Sequence, residues 1–305
     1  MRLHLRIPLP LRQTSTKSVV FGVTSTSWRS VAVLLITFWV PTTNAGDSSQ
    51  ETSTTNTTTS AQELAKQKHN PFADQITLPL QISSELEVGP GNGTTAGLEF
   101  EPAIPISLGP NWKVIARPDL SVLDSEPPHR KFGLGDIELE TYLTPGLFDK
   151  WVWGVGPALQ APTATASELG TGKWSAGPAV GLIYISGPWV NGILAHHLWS
   201  FAGQRDRAEV NQSTIEPFIS YNFESGWFLG FDSTMTADWN ADPDKRWTVP
   251  IGLDVGKTFQ MGKQSLSLQF GTYNNVLRAE GVGRWLVRVQ VTLTLPRHSA
   301  DTEEK

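Results

Sequence analysis

Apolar and polar residues alternate along most of the chain between residues 75 and 296. In the last such segment Val287, Val289 and Val291 alternate with Arg288 and Gln290. About twelve segments share the pattern, near residues 75–88, 98–108, 112–123, 135–144, 151–162, 174–186, 189–201, 211–223, 227–238, 247–259, 264–273 and 284–296. A period of two gives a β-strand one apolar and one polar face, and a tilted strand of about 9–11 residues crosses a membrane. The pattern therefore predicts about twelve long strands.

The connections between these segments alternate in length. Tight connections lie at residues 109–111, 145–150, 187–188, 224–226 and 260–263, and longer ones at 89–97, 124–134, 163–173, 202–210, 239–246 and 274–283. Outer-membrane barrels have short turns at one rim and longer loops at the other. The alternation predicts an all-β fold, an up-and-down antiparallel transmembrane β-barrel with both chain ends on the short-turn side.

Tryptophan is concentrated at the ends of the predicted strands. The ones we assign to interface belts are Trp112, Trp151, Trp189 and Trp227 beside tight turns, and Trp174, Trp199, Trp239, Trp247 and Trp285 beside long loops. An indole ring suits a membrane–water interface, because its body is apolar and its N–H needs a polar partner. Tryptophans of a soluble core would also occupy mid-strand positions, so we predict two aromatic belts.

If the apolar faces meet lipid, the opposite faces line the lumen. The candidate lumen-lining residues are Glu99, Glu101, Lys113, Arg117, Asp119, Asp136, Glu138, Glu140, Arg284 and Arg288. Charges of both signs on one wall fit either a solute path with selectivity or a structural network of ion pairs. The surplus of acids favours cations or neutral solutes. Twelve strands lie between filled eight-stranded barrels and open 16-stranded channels, so we expect a narrow or plugged pore.

The N-terminal region has a different composition. Residues 1–45 contain five basic residues and no acid, an apolar stretch at Val31–Val40 and small residues near Ala45, which together predict a secretory signal peptide. A Ser- and Arg-rich leader is also compatible with an organelle transit peptide. Residues 46–70 form a Ser/Thr-rich linker and a short helix at 61–69, in the lumen or at the rim. We therefore expect a barrel over residues 71–296 and a charged tail over 297–305.

Composition narrows the chemistry. The chain has 305 residues, no Cys and a net charge of −5, which exclude disulfides and thiolate sites and disfavour a nucleic-acid partner. His196 and His197 are adjacent in a strand and point to opposite faces, so they cannot bind one metal together. A lipase-type enzyme needs a nucleophile paired with a histidine. No sequence signature shows one, although Ser200 and His197 would be the residues to test. We expect no enzyme activity, no metal and no cofactor.

Several short motifs resemble one bacterial family. They include Phe132-Gly-Leu-Gly-Asp136, Trp153-Gly-Val-Gly-Pro157, Gly187-Pro-Trp189 and Trp247-Thr-Val-Pro-Ile251, with Asn70-Pro-Phe-Ala73 at the entry. Together they resemble the barrel proteins of the "meta-pathway of phenol degradation" family over about residues 62–296. The resemblance implies an outer-membrane, porin-like barrel with a role in uptake of small compounds, aromatic ones included, and it assigns no catalytic residues. Unlike many outer-membrane barrels, the last strand ends on Leu295-Pro296 and not on an aromatic residue.

The functional hypothesis is an outer-membrane channel or transporter for small compounds, aromatic or hydrophobic ones included. Its expected partners are the lipid bilayer, the barrel assembly machinery and a small-molecule solute, and its location is the outer membrane of a Gram-negative-type bacterium. The alternatives are a structural or adhesive outer-membrane barrel and a soluble secreted β-sandwich that binds a ligand.

Overall fold

The computed structural model describes residues 60–124, 131–146, 150–262 and 264–296. The predicted signal peptide (1–45), most of the linker and the tail (297–305) lie outside the described residues. One α-helix, α1 (Ala61–Lys68), and one 3-10 turn (Ser167–Leu169) are present in these ranges. The strand segments are β1 (Gln75–Val88), β2 (Gly93–Phe100), β3 (Ile104–Ser107), β4 (Trp112–Asp124), β5 (Phe132–Leu134), β6 (Ile137–Pro145), β7 (Trp151–Ala161), β8 (Lys173–Ser186), β9 (Trp189–Gly203), β10 (Asn211–Asn222), β11 (Trp227–Asp232), β12 (Met235–Asp238), β13 (Trp247–Met261), β14 (Gln264–Leu277) and β15 (Trp285–Pro296).

The strands form one closed antiparallel barrel. β1 pairs with β15 from Gln75↔Pro296 to Leu86↔Trp285, so the first and last strands close the sheet. Three consecutive pairs of segments, β2 with β3, β5 with β6 and β11 with β12, each share one position in the sheet, which leaves twelve barrel strands within the described residues. The predicted twelve-stranded barrel is confirmed. The alternative of a β-sandwich is wrong, because the ladder continues round the whole molecule.

The two rims differ as the alternation predicts, with one exception. Connections such as residues 187–188 and 223–226 lie at the short-turn rim, and 162–172, 204–210, 239–246 and 278–284 at the long-loop rim. The expected long loop at 89–97 is instead a four-residue turn at 89–92. Gly93–Gly97 pairs with Val88–Ser83, but this Gly-Thr-Thr-Ala-Gly run has no apolar face, so periodicity alone did not identify it as a strand.

The two faces of the barrel differ in polarity. Apolar side chains on the outside remain exposed, for example Ile82, Leu253 and Phe270. Inward positions on the same strands carry polar groups or glycine, for example Asp254 and Gln269, which are buried. Among the described residues no helix has both the length and the apolarity that a bilayer crossing requires.

Helix α1 has ordinary capping signals. The Ser60 hydroxyl accepts a hydrogen bond from the Glu63 N–H (3.2 Å), and Lys66 and Lys68 lie in the last turn, where cations are favoured. The helix ends before Asn70 and Pro71, as the Asn-Pro pair predicts.

Candidate functional site in the barrel lumen

Residues 60–73, which we call the N-terminal segment, enter the barrel from the short-turn rim. The side-chain amide of Gln62 donates to the Asn222 carbonyl (2.8 Å), and Lys68 donates to Gln269, which points inward from β14. His69 packs edge-on against Phe228, with ring centroids 4.5 Å apart. Of the two positions that the sequence left open for this segment, lumen or rim, the structure shows the lumen.

Phe72 anchors the same segment deeper in the lumen. Its ring is fully buried and lies 5.1 Å, centroid to centroid, from the ring of Tyr142. A Cβ atom added at Gly154 or Gly181 would lie 2.9 Å or 2.6 Å from Phe72 Cζ, so the ring occupies a notch that two glycines leave open. The segment therefore narrows the short-turn end of the barrel.

A buried ionic network lies in the lumen beside this segment, and we call it the Arg117 network. In it Arg117 forms ion pairs with Glu140 (2.7 Å), Glu101 (2.7 Å) and Glu216 (3.1 Å). Arg117 and Glu140 are direct partners in the β4–β6 ladder, which places both side chains inward at one height. Tyr142 donates its hydroxyl proton to Glu140 (2.7 Å). One guanidinium thus holds together strands from opposite sides of the lumen.

His196 extends the Arg117 network. Its Nε2 lies 2.9 Å from Glu138 and its Nδ1 lies 2.5 Å from Glu140. In the described part of the chain, the possible ligand atoms of these three residues lie within 4.8 Å of one another, which is close enough to hold a metal ion. In this arrangement both imidazole nitrogens face carboxylates, so the trio is satisfied by ion pairing with a protonated ring.

A second network, the Arg288 network, lies nearer the long-loop rim. Arg288 binds Asp254 through Nε (3.1 Å) and Nη2 (2.7 Å), and Nη2 also donates to the Asp232 carbonyl (2.6 Å). Tyr273 donates its hydroxyl proton to Asp254 and accepts from the Asp232 N–H (3.0 Å). The break between β11 and β12 at Ser233 frees this stretch of backbone from the ladder, so it can point at the lumen.

Two cavities inside the barrel meet at Asp232. The outer one has a volume of about 490 Å³, and acids such as Glu85, Glu99 and Asp232 line it together with Arg288. The inner one, of about 120 Å³, lies between the N-terminal segment and the Arg117 network and includes Lys68, Pro71 and Glu216. Polar groups thus line the lumen from one cavity to the other, and we call the part at the Arg117 network, beside the small inner cavity, the waist.

The charges around the waist are mainly acidic. Five carboxyl groups, those of Glu101, Asp119, Glu138, Glu140 and Glu216, surround one guanidinium and one imidazole. Oδ1 of Asp119 is buried without a hydrogen-bond partner in the described part of the chain. Such a carboxylate oxygen is free to interact with a cation or a hydrogen-bond donor.

The predicted lumen residues lie in four different places. Glu101, Arg117, Asp119, Glu138, Glu140 and Arg288 lie in or beside the two networks, and Glu99 accepts from Gln81 (2.6 Å) in the wall of the outer cavity. Lys113 is buried and pairs with Asp74 (2.7 Å), directly after the N-terminal segment. Asp136 and Arg284 lie towards the long-loop rim and contact neither network.

Asp136 holds a long loop in place. Its carboxylate accepts from the Thr171 N–H (2.6 Å), the Thr171 hydroxyl (2.8 Å) and the Ala164 N–H (3.0 Å). The Arg207 guanidinium donates to three carbonyls of the same loop, those of Ser167 (2.8 Å), Gly170 and Thr171 (3.1 Å). Arg284 is exposed and lies 3.7 Å from Glu87 at the rim.

Several lumen residues were not identified from the sequence. Glu216, Asp232, Asp254, Tyr142 and Tyr273 all belong to the two networks. The alternation in β13, where Leu253 and Val255 face outward, already places Asp254 inside, and applying it to every strand finds most of the others.

The tryptophans lie at the two ends of the outer surface. Eight of the nine assigned to the belts are among the exposed apolar side chains, and Trp247 is intermediate. Trp153 packs against Trp112 at the short-turn end, and Trp239 against Trp247 at the long-loop end, with ring centroids 6.0 Å and 6.1 Å apart.

Lys68, which lies outside the strands, is electrostatically perturbed. Enclosure by the barrel lowers the pKa of its ammonium group from 10.5 to about 8, although the nearby Asp232 and Asp254 carboxylates oppose the shift. The proton on Lys68 is therefore bound less tightly when the N-terminal segment is docked.

Comparison with known proteins shows the fold. No family model matches the chain, and no curated protein matches its sequence. The chain is similar to an outer membrane channel from Pseudomonas putida F1, at 15% identity and a TM-score of 0.55, with 72% of this chain and 95% of that chain covered. It is also similar to the NanC porin, at 12% identity and a TM-score of 0.47, with coverages of 72% and 98%. The neighbours are thus outer-membrane β-barrels.

A third neighbour corrects one expectation from the sequence. The outer membrane phospholipase A from Escherichia coli is 12% identical, with a TM-score of 0.37 and coverages of 73% and 96%. That protein is an enzyme, so barrels of this architecture include enzymes as well as channels, and the expectation that this chain is not an enzyme is withdrawn.

Proposed function

We propose that this chain is an outer-membrane barrel that conducts small compounds, neutral or cationic, with aromatic ones among them. The observation that carries the proposal is the polar path of two cavities inside a barrel with an apolar outer surface. Such a surface requires lipid around it, and a closed ladder satisfies its backbone groups without water.

The outer surface supports a bilayer as the surrounding medium. Apolar side chains such as Ile82, Leu182 and Leu253 form a band between the two sets of tryptophans. Indole rings at both edges match the aromatic girdles of membrane barrels. This arrangement supports the proposed lipid partner and the two proposed tryptophan belts.

The charge of the path supports selectivity against anions. At the waist five carboxyl groups face one guanidinium and one imidazole, and the outer cavity adds Glu85 and Glu99. A wall with one dominant sign of charge raises the local concentration of counter-ions. A cationic or neutral solute can interact with Asp119 or Glu99, whereas an anion meets repulsion at both cavities.

The finer parts of the proposal come from the sequence. The motifs resembling the meta-pathway family favour aromatic solutes, and the pattern of residues 1–45 favours export by a signal peptide. The barrel assembly machinery is proposed as a partner because the exported chain folds as an outer-membrane barrel. Mass spectrometry of protein purified from outer membranes would find the mature N-terminus near residue 46 if this assignment is right.

Solute flux into liposomes tests the function. Purified full-length protein is reconstituted, and swelling rates are compared for a neutral phenol, a small ammonium compound and a carboxylate of matched size. We expect faster entry of the first two than of the carboxylate. Equal rates for all three, or rates no higher than in protein-free liposomes for the wild type and for the Phe72→Ala variant, would contradict the proposal.

A further inference from the structure

A second group of polar side chains lies on the outer face of the barrel. Ser213 of β10 and His197 of β9 are direct partners in the ladder, and Asn211 precedes Ser213 on the same face. His196 points inward, so its neighbour His197 points outward. The His197 Nδ1 lies 2.7 Å from the Ser213 hydroxyl, and its Nε2 lies 3.0 Å from Oδ1 of Asn211.

We propose that Ser213, His197 and Asn211 form a serine hydrolase site that cleaves acyl esters of amphiphiles at the long-loop end of the barrel. Neither the lumen nor its networks take part in this site. A nucleophile, a base and a residue that orients the base are the side chains that activate a serine for such chemistry.

The hydrogen bonds assign a consistent set of protons. The Asn211 oxygen can only accept, so Nε2 of His197 carries the ring proton and Nδ1 is left as the base. The Trp239 Nε1–H donates to the Ser213 oxygen at 2.8 Å. With that lone pair occupied, the serine hydroxyl is free to donate its own proton to His197.

The surroundings suit a substrate with an acyl chain. The Trp199 ring lies 4.0 Å from the His197 ring, centroid to centroid, and is half exposed. Along the same outer face towards the middle of the barrel come Ile215 and Ile193, which can contact an acyl chain. On the other side Asn211 borders a cavity of about 420 Å³ formed by the long loops, with room for a polar head.

The reaction needs no reagent besides the ester and water. The Ser213 oxygen bonds to the ester carbonyl carbon while its proton moves to His197 Nδ1. The bond from that carbon to the alcohol oxygen then breaks, and the alcohol leaves with the proton. Water attacks the acyl-serine, again giving its proton to His197, and releases the carboxylic acid and free serine.

The first experiment labels the nucleophile. Full-length protein in detergent micelles is treated with a fluorophosphonate probe, and the modified peptide is identified by mass spectrometry. We expect label on Ser213, and loss of label in Ser213→Ala and in His197→Gln. Ser200→Ala is the matched control, because the Ser200 hydroxyl donates to Glu209 (2.5 Å) and not to His197. Label elsewhere, or none, would overturn the proposal.

The second experiment measures turnover of a p-nitrophenyl octanoate ester in mixed micelles. We expect Ser213→Ala and His197→Gln to lower the rate at least 100-fold. Asn211→Ala should lower it less, and Asn211→Asp should restore it, because Asp keeps an acceptor at Nε2. A wild-type rate equal to that of the folded Ser213→Ala variant overturns the site, with heat-modifiable migration on gels reporting folding.

The claim that the substrate is an amphiphile rests on the membrane location proposed above, whereas the claim of ester hydrolysis does not. A rate higher with the octanoate ester in micelles than with the soluble acetate ester supports an amphiphile, and the reverse order overturns that part. Solute flux in the Ser213→Ala variant should equal that of the wild type. The channel and the hydrolase can therefore fail separately.

Discussion

We expect docking of the N-terminal segment to depend most on Phe72. Its ring is fully buried, contacts Tyr142 and fills the notch at Gly154 and Gly181. The perturbation is Phe72→Ala, which removes the ring and leaves the rest of the segment unchanged. Phe132→Ala is the matched control, because Phe132 is 80% exposed.

The expected size follows from burial. Replacing a buried Phe by Ala costs about 3–5 kcal/mol. Here the cost falls on docking of the segment and not on the barrel, whose ladder is closed without it. At about 1.4 kcal/mol per tenfold change, about 3 kcal/mol raises the ratio of undocked to docked segment roughly 100-fold.

The assay uses the absence of cysteine from the chain. A single Ala73→Cys substitution places a thiol at a buried position of the segment, where a water-soluble maleimide reacts only after undocking. We expect labelling in folded protein to become roughly 100-fold faster in the Phe72→Ala background. Labelling in the Phe132→Ala background should stay within about threefold of the parent rate.

A second variant tests the notch itself. In Gly181→Ala the new Cβ would lie 2.6 Å from Phe72 Cζ and from Leu194 Cδ2, so the ring must shift although it is intact. We expect faster labelling here as well. If labelling is unchanged by Phe72→Ala, the segment is held by other contacts and the reasoning is refuted.

Three further predictions concern the networks and the loops. Arg117→Met leaves three carboxylates without their guanidinium, which should destabilise the barrel by about 3–5 kcal/mol. The unfolding transition seen by heat-modifiable gel migration should therefore occur at a lower temperature, and the cation selectivity of the conductance should rise. Because docking lowers the pKa of Lys68 from 10.5 to about 8, charge on Lys68 opposes docking below pH 8, and this opposition disappears as pH rises to 10.5. Since the docked segment narrows the barrel, the fraction of time that the channel is open in planar bilayers should fall from pH 7 to pH 10. Lys68→Met should remove this part of the pH dependence. Asp136→Asn weakens three hydrogen bonds to the loop at 162–172, by about 1.5–3 kcal/mol in total, so proteolysis of that loop should accelerate without loss of the barrel.

The barrel could be predicted from the sequence because its rules are local. Alternation fixes which side chains of a strand share a face, and rim alternation follows from up-and-down order. Segments without an apolar face escaped this reasoning, as Gly93–Gly97 shows. The break at Ser233 escaped it as well, since the alternation continues through Met235.

The candidate sites needed information that periodicity does not contain. Arg117 and Glu216 are 99 residues apart and meet across the lumen, which depends on barrel diameter and on side-chain length. The pair His197 and Ser213 depends on the register of one hairpin. The sequence alone suggests Ser200 as the serine to test with His197. These two residues are three positions apart in one strand, so they lie on opposite faces. Only the register between β9 and β10 brings Ser213 to the His197 ring.

Single-channel recording tests the central claim most directly. Refolded full-length protein is inserted in a planar bilayer under a tenfold KCl gradient, and the reversal potential is measured. The acid-rich path predicts discrete conductance steps and a reversal potential of the sign that cation selectivity gives, with a larger open fraction for Phe72→Ala. An anion-selective reversal potential, or no conductance above the lipid background in either protein, would contradict the account.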